Sequence, residues 1–430
     1  MNTLAESLAV PHEFLKLLGK ENILDLRLGD NVEKNMTVLF SDIRDFTTLS
    51  EAMTPQENFS FINGYLSEME PQLFKHSGFV DKYIGDAIMA LFPKSADDAL
   101  NAAIAMLKQL QKYNAAGQSA KKPIRIGIGL NTGLMMVGTV GGSHRMETTV
   151  IGDAVNLASR LESMTKTYGV ELLISEHTYY GLKRPDDHDI RFVDRVRVKG
   201  KDQPQSVYEV FDADPAAVRT AKRQSKRIFE EALACYHYCD IANAQKLLQQ
   251  CLQICPDDMP AQVYTGRCQR FMATGVHEGT GETELKITWG SQFEIGLPVI
   301  DDQHEELLKR AETFVEAMRT CKAGGQADEI IGFLQEYVKV HFRTEEKLMR
   351  EHKYPLLQLQ LEQHARFTRD FSRLAAEIQA NIDKDRLFLQ FKTQIFVVDW
   401  IVHHTTKLDK HFGKFLKQSQ AQQTENKENK

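Results

Sequence analysis

The 430-residue sequence predicts an α+β domain built on a mainly antiparallel sheet, then an α-helical linker, then an all-α four-helix bundle. Three observations carry this. Two strand-like runs, 80–84 and 87–92, meet at Gly85-Asp86, a pair suited to a two-residue hairpin turn. Strands and helices alternate over 36–211, but the hairpins argue for an antiparallel or mixed sheet over a doubly wound one. From Lys222 onward the texture changes to nearly unbroken helix formers.

Taken in order, residues 1–35 form a helical lead-in. Phe14, Leu17, Leu18 and Leu24 have amphipathic spacing, which serves either packing on the same domain or pairing with a second copy. Residues 36–40 are a buried strand. Pro55 marks a helix start, and Phe59, Ile62, Leu66 and Met69 follow with helical period. After the hairpin come an alanine-rich helix at 96–115 and two partner strands at 124–130 and 135–140. A helix at 154–166 follows, and strands near Leu172 and Val207 close the unit by about residue 215. Gly138-Thr139-Val140-Gly141-Gly142 lacks the Gly-Lys-Ser/Thr ending of a phosphate loop and is discounted. Residues 220–275 resemble a single tetratricopeptide-like hairpin, too small to bury a continuous core alone and expected to act as a spacer. A glycine-rich, acidic linker spans 273–284, the bundle 285–416, and a disordered tail 417–430.

Composition narrows the function. A net charge of −6 gives no electrostatic footprint for nucleic acid or an anionic membrane. No apolar run reaches the ~18 residues that span a bilayer, so a cytoplasmic location is expected. Five of the six cysteines lie between Cys235 and Cys268. Cys235/Cys239 and Cys251/Cys255 are i,i+4 pairs. A zinc site is conceivable, but reduced, buried helical thiols are the better reading.

The chemistry starts at Val38-Leu39-Phe40-Ser41-Asp42-Ile43-Arg44-Asp45, where an apolar run ends in acid, base, acid. Asp42 at a strand end and Asp86 at a hairpin tip can converge on one cation. Hard oxygen ligands suit magnesium or manganese, with phosphate completing the shell. Asn156 and Arg160, at i,i+4, share one helix face.

These stretches, with Thr149-Val150-Ile151-Gly152-Asp153-Ala154-Val155-Asn156, resemble the class III nucleotidyl cyclase family over about 36–211. The resemblance implies a ferredoxin-like sheet. It also implies attack of the ATP ribose 3′-oxygen on the α-phosphorus, assisted by two divalent ions ~3.5–4 Å apart. In it Asp42, Asp86 and the Ile43 carbonyl hold the metals, Asn156 orients the ribose, Arg160 stabilises the transferring phosphoryl group and Lys199 contacts the triphosphate. Lys82 and Thr149 occupy the two base-reading positions. A lysine donor meets the adenine N1 acceptor, whereas guanine N1 carries a hydrogen, so ATP is the expected substrate. The family builds each site from two subunits; with every part present in this chain, a homodimer is expected.

In the terminal bundle, His341/Glu345 and Gln360/His364 pair at i,i+4, and bundles hold di-iron centres with inward-facing histidines and carboxylates. His404 and Asp409 are i,i+5, ~140° apart on an α-helix, so spacing alone does not join them. Ile300-Asp301-Asp302-Gln303-His304, His341-Phe342, Glu345, Tyr354-Pro355 and Trp400/His404/Asp409 together resemble the hemerythrin family in its bacterial form. That resemblance implies non-haem iron, two ions in the family, held by His304, His341, His364, His404, Glu345 and Asp409. Gln360 takes the fifth histidine position as a doubtful ligand, because its neutral amide oxygen binds iron more weakly than imidazole.

The expected protein is a homodimeric adenylate cyclase regulated by an oxygen- or redox-sensing iron module. The alternatives are a guanylate cyclase of the same architecture, or an iron- or oxygen-binding protein whose cyclase-like domain only dimerises.

Overall fold

The computed structural model describes residues 12–117, 123–142, 145–197, 204–278, 289–319, 323–381 and 386–428. Contacts divide the chain into two compact units. One takes in the sheet and helices up to Glu230 together with the segment from Gln245; the second takes Glu231–Ala244 and the terminal bundle.

The first unit opens with α1 (His12–Leu17) and β1 (Asn31–Ile43). Next come α2 (Phe46–Glu51), α3 (Pro55–Lys75), the hairpin β2 (Phe79–Ile84) and β3 (Ala87–Phe92), and α4 (Ala96–Ala115). Then follow β4 (Ile126–Gly142), β5 (Arg145–Ile151), α5 (Asp153–Tyr168), β6 (Leu172–Ser175), α6 (Glu176–Gly181), β7 (Ile190–Arg197) and β8 (Pro204–Val210). The sheet order is β2-β3-β1-β4-β6-β8-β7, with β5 paired to β4. Every pairing is antiparallel except β4 with β6. This is the mainly antiparallel α+β sheet the hairpins predict.

Three local expectations are corrected. The lead-in does not run as one helix, because Gly19 at φ +66° ends α1, and Leu24 is exposed. Phe14 is fully buried in the same core cluster as Val38, Met89 and Ala154, with Leu17 and Leu18 against it, so those residues pack on their own unit. In α3 the buried face is Phe61, Tyr65, Met69 and Leu73, while Phe59 stands exposed. The two short strands expected at 124–130 and 135–140 are one long strand, β4, whose first thirteen residues pair with β1 from Asn31 to Ile43. Asn131-Thr132-Gly133 has turn-type residues but stays extended. Asn131 donates to the Ala154 carbonyl at 2.8 Å, and Gly133 makes room for the Ala154 side chain.

Asp42 and Asp86 are placed by strand ends. The β2–β3 register, Ile84 opposite Ala87, leaves Gly85-Asp86 as a two-residue turn. Gly85 supplies the left-handed φ of +66° that such a turn needs. α5 lies directly on β4: a Cβ on Gly129 would collide with the Glu162 backbone nitrogen and the Ala158 carbonyl.

Helices α7 (Ala216–His237), α8 (Ile241–Ile254) and α9 (Met259–Thr274) follow, three where a single hairpin was expected. α9 docks on the sheet through a buried ionic cluster. Arg191 of β7 donates to Asp258 at 2.6 and 2.7 Å and to Glu209 at 2.6 Å. Lys222 of α7 bonds Glu209 and Asp214, both at 2.6 Å.

The second unit is the predicted helical bundle. It contains α10 (Pro298–Arg319), α11 (Ala323–Glu351) and α12 (Leu357–Asn381). The fourth helix runs as α13 (Arg386–Thr393), α14 (Asp399–His404) and α15 (Lys410–Glu428), joined by π-turns at Gln394–Val398 and Thr405–Asp409. α15 continues well past residue 417, where a disordered tail was expected; glutamine, lysine and glutamate are good helix formers and extend the preceding turn. Among the described residues no helix is long and apolar enough to cross a membrane.

Candidate active site and metal centre

Asp42 and Asp86 converge. The Ile43 N–H donates to Asp86 Oδ2 at 3.2 Å, locking the hairpin tip to the end of β1. Burial, together with a hydrogen bond and repulsion from Asp42, pushes the Asp86 carboxyl up to about 6. Two carboxylates this close raise one another's cost of ionising unless a cation is shared. Lys166 of α5 stands 3.6 Å from Asp42 as a partial counter-charge. Sequence reasoning missed Lys166 and also Arg44, which reaches Thr165, Val170 and Glu162 beneath the same site.

Lys82 and Thr149 are brought together: the Lys82 ammonium donates to Thr149 Oγ1 at 2.9 Å, although 67 residues separate them. They sit at the end of β2 and on β5, beside the hairpin that carries Asp86.

Asn156 and Arg160 take a different station. Thr165 abuts Gly127, which is opposite Asp42 in the β1–β4 register. Arg160 and Asn156 precede Thr165 by five and nine residues, hence ~7.5 and ~13.5 Å along the α5 axis. Asn156 is exposed and Arg160 half-buried. Lys199, and Lys201 beside it, lie outside the described residues.

In the bundle, His304, His341, Glu345, Gln360, His364, His404 and Asp409 are all at most 3% exposed. They form two overlapping groups that share Glu345: His304, His341, Glu345 and Asp409, and Glu345, His364 and His404. His304 Nε2 is 3.6 Å from Glu345 and 3.3 Å from Asp409. His341 and His364 stand 3.6 and 3.5 Å from Glu345 Oε2, and the His364 and His404 Nε2 atoms are 3.0 Å apart. Ligand atoms at right angles, ~2.1 Å from one ion, are ~3 Å apart, so these spacings suit shared cations. Both Glu345 oxygens and Asp409 Oδ2 are buried without a hydrogen bond, as expected of atoms aimed at metal.

The i,i+5 spacing of His404 and Asp409 is resolved by the π-turn between them. A turn closed by i→i+5 bonds returns the sixth residue to the side of the first. His404 Nε2 accordingly lies 3.2 Å from Asp409 Oδ1. Gln360 also reaches the site, but its amide Nε2 donates to Asp409 Oδ1 at 3.1 Å. Outer partners orient two rings: His341 Nδ1 meets Gln303 Oε1 and His364 Nδ1 meets Glu346 Oε1, each at 3.1 Å. Phe342 stacks on His364 and Trp400 on His404, walling these two rings with apolar surface.

Burial pushes His341 down to about 4. For His304 and His364 burial also disfavours the charged ring, yet the facing carboxylates, Asp409 and Glu345 at His304 and Glu345 and Glu346 at His364, lift each to about 9.

The cysteines form no metal group among the described residues. Cys235 lies in α7 but Cys239 lies beyond its end at φ +61°, so the two do not share a helix face. Burial pushes the Cys235 and Cys268 thiols up to about 11 and Cys251 to about 12.

Residues 30–210 match the family model described as the adenylate and guanylate cyclase catalytic domain, and residues 296–416 the hemerythrin HHE cation binding domain. The chain is 45% identical over 208 residues to an adenylate cyclase of Anabaena cylindrica, covering 47% of this chain and 41% of that protein. It is 38% identical over 271 residues to the terminal-differentiation specific adenylate cyclase of Dictyostelium discoideum, covering 62% of this chain and 13% of that protein. The chain thus spans less than half the length of these curated relatives. Among solved structures, the adenylyl cyclase CyaB from P. aeruginosa aligns with 36% identity and a TM-score of 0.38, covering 42% of this chain and 95% of that one. By sequence, then, residues 30–210 belong to the adenylate and guanylate cyclase catalytic domain family, and residues 296–416 to the hemerythrin HHE cation binding domain family.

Proposed function

We propose that the protein is a homodimeric adenylate cyclase whose output is governed by an iron-holding C-terminal bundle that responds to oxygen or redox state. The convergence of the Asp42 and Asp86 carboxylates, tied through the Ile43 N–H, carries the enzymatic reading. The 3′-oxygen of ATP attacks its own α-phosphorus, the bond to the β-phosphate oxygen breaks, pyrophosphate leaves and the 3′ proton passes to solvent. Divalent magnesium or manganese held by Asp42 and Asp86 would neutralise the triphosphate and ease ionisation of the 3′-hydroxyl. The chain's own part is to hold the ends of one flexible molecule in line.

Lys82, fixed against Thr149, offers an ammonium donor to adenine N1, which favours ATP over GTP. Asn156 and Arg160 lie well along α5 from their own Asp42, which fits a site completed by a second copy. Met136 and Ile151, directly opposite in the β4–β5 ladder, are both exposed apolar residues and suit such a contact.

In the bundle, His304 and His341 with the two carboxylates would hold one iron, and His364 and His404 with Glu345 a second. Iron supplies a redox change and a binding position for a small ligand. Phe342 and Trp400 put apolar surface beside it.

The test is cyclic AMP synthesis with manganese. Asp42→Asn and Asn156→Ala should each lose on the order of a hundredfold in rate, with unchanged melting. Mixing the two variants should restore part of the activity, since one heterodimer site then keeps both intact halves. An unchanged rate in Asp42→Asn ends the enzymatic reading; no recovery on mixing ends the two-subunit site.

A further inference from the structure

Asp81 is a buried carboxylate that the cyclase chemistry above does not use. Its side chain is 0% exposed, and Oδ1 has no hydrogen-bond partner. On a regular strand, residues 81 and 82 would point to opposite faces. The β2–β3 register slips here: Val80 pairs with Ala90 and Lys82 with Met89, leaving Asp81 as an extra, bulged residue. Bulges re-aim side chains beside functional sites. As a result Asp81 Oδ2 stands 3.5 Å from the Lys82 ammonium and accepts from the Thr149 hydroxyl at 3.4 Å.

We infer that Asp81 is a positioning residue that sets purine choice by fixing the direction of the Thr149 hydroxyl and the place of the Lys82 ammonium. The inference rests on the adenylate cyclase reading. A threonine hydroxyl has one proton and two lone pairs. With the proton committed to Asp81 and one lone pair to Lys82, the other lone pair faces outward as an acceptor. Adenine offers an amino donor beside the N1 acceptor that Lys82 reads. Guanine offers an oxygen acceptor beside an N1 donor, the inverse pattern, and meets acceptor and donor with like. A hydroxyl free to turn could donate to the guanine oxygen, so the carboxylate removes that option. Burial raises Asp81 only to about 6, and the Lys82 charge and the Thr149 bond oppose the rise, so it is ionised at neutral pH.

Asp81→Asn replaces the acceptor with an amide that can donate to Thr149. Expected are a roughly tenfold rise in KM for ATP and a tenfold or greater fall in the ATP:GTP ratio of kcat/KM, with kcat for ATP within about threefold. In a Thr149→Val background, Asp81→Asn should shift the ratio clearly less than in the wild-type background, because the hydroxyl it orients is gone and only the placing of Lys82 is left to disturb. If Asp81→Asn does not fold, Asp81→Ser, smaller and still polar, should give the same fall. An unchanged ratio, or an equal loss of kcat for both nucleotides with a lowered melting point, overturns the inference and leaves Asp81 a packing residue. Wild-type protein that cyclises neither nucleotide overturns the enzymatic reading instead; wild-type that prefers ATP with a ratio Asp81→Asn does not move overturns this inference alone.

Discussion

Asp86 carries an ordinary side chain in a place that makes ionising costly. Its folded pKa, about 6, lies above the usual carboxylate range because of burial and Asp42. The protonated form is therefore favoured by folding. That stabilisation is complete below about pH 4 and is lost as pH rises through about 6. Binding of a divalent cation needs the ionised form, so manganese should raise the melting temperature clearly at about pH 7.5 and little at about pH 5. Asp86→Asn should erase the difference; equal shifts at both pH values would contradict a cation at this pair. Gln360 is the second residue with a readable consequence. Its amide is engaged with Asp409, so the His364–His404 group has one strong donor fewer than the family pattern. Gln360→His should raise the iron retained after mild chelation and strengthen the visible absorption of the iron-loaded protein; identical iron content and spectrum would mean that Gln360 is irrelevant to the metal. Asp42, Asp86 and the four histidines were readable in sequence because their residue types stand at motif spacing. Asp81 and Lys166 were not: the role of a lone acid or lysine depends on a bulge or a facing helix that local sequence does not encode.

Elements followed the same rule. The Gly85-Asp86 hairpin and the 96–115 helix were legible because turn chemistry and alanine-rich periodicity are local. The single long β4 was not, since pairing with β1 overrides the turn preference of Asn131-Thr132-Gly133. Nor was the phase of α3, where the sheet beneath selects Phe61 over Phe59. The π-turn at Thr405–Asp409 was hidden too; it joins His404 to Asp409 at a spacing that an α-helix would keep apart. The docking of α9 depends on an ion pair across 67 residues, Arg191 with Asp258, both side chains 0% exposed. Asp258→Ala leaves a buried guanidinium half-paired and should cost ~3–5 kcal/mol. The neighbouring, exposed Asp257→Ala should fall within ~0.5 kcal/mol. Urea unfolding of both variants checks this; equal midpoints would mean the cluster does not hold α9 in place.

At the scale of the whole chain, two families that act on different chemistry share one polypeptide. Helix α7 carries Lys222 in the buried cluster of the sheet unit, while its last turns, from Glu231, belong to the second unit, where His237 stacks on Phe391 of the bundle's fourth helix. Under the proposed function, a continuous helix with residues in both units would be the covalent route by which the state of the bundle reaches the cyclase domain. In the proposed centre residues of all four bundle helices would hold iron, so a change in its oxidation state or ligand would alter the attraction on Glu345 and Asp409 together. Such a change can bias the enzyme only by as much as it distinguishes two states of the bundle. The prediction is that the 430-residue chain makes cyclic AMP at different rates with its iron reduced under anaerobic dithionite, reduced under oxygen, and fully oxidised. The variant His364→Ala/His404→Ala should flatten those differences while keeping a measurable basal rate. Identical rates in all three states of the wild-type chain, with iron present and its spectrum changing, would mean that the bundle does not govern the enzyme at all.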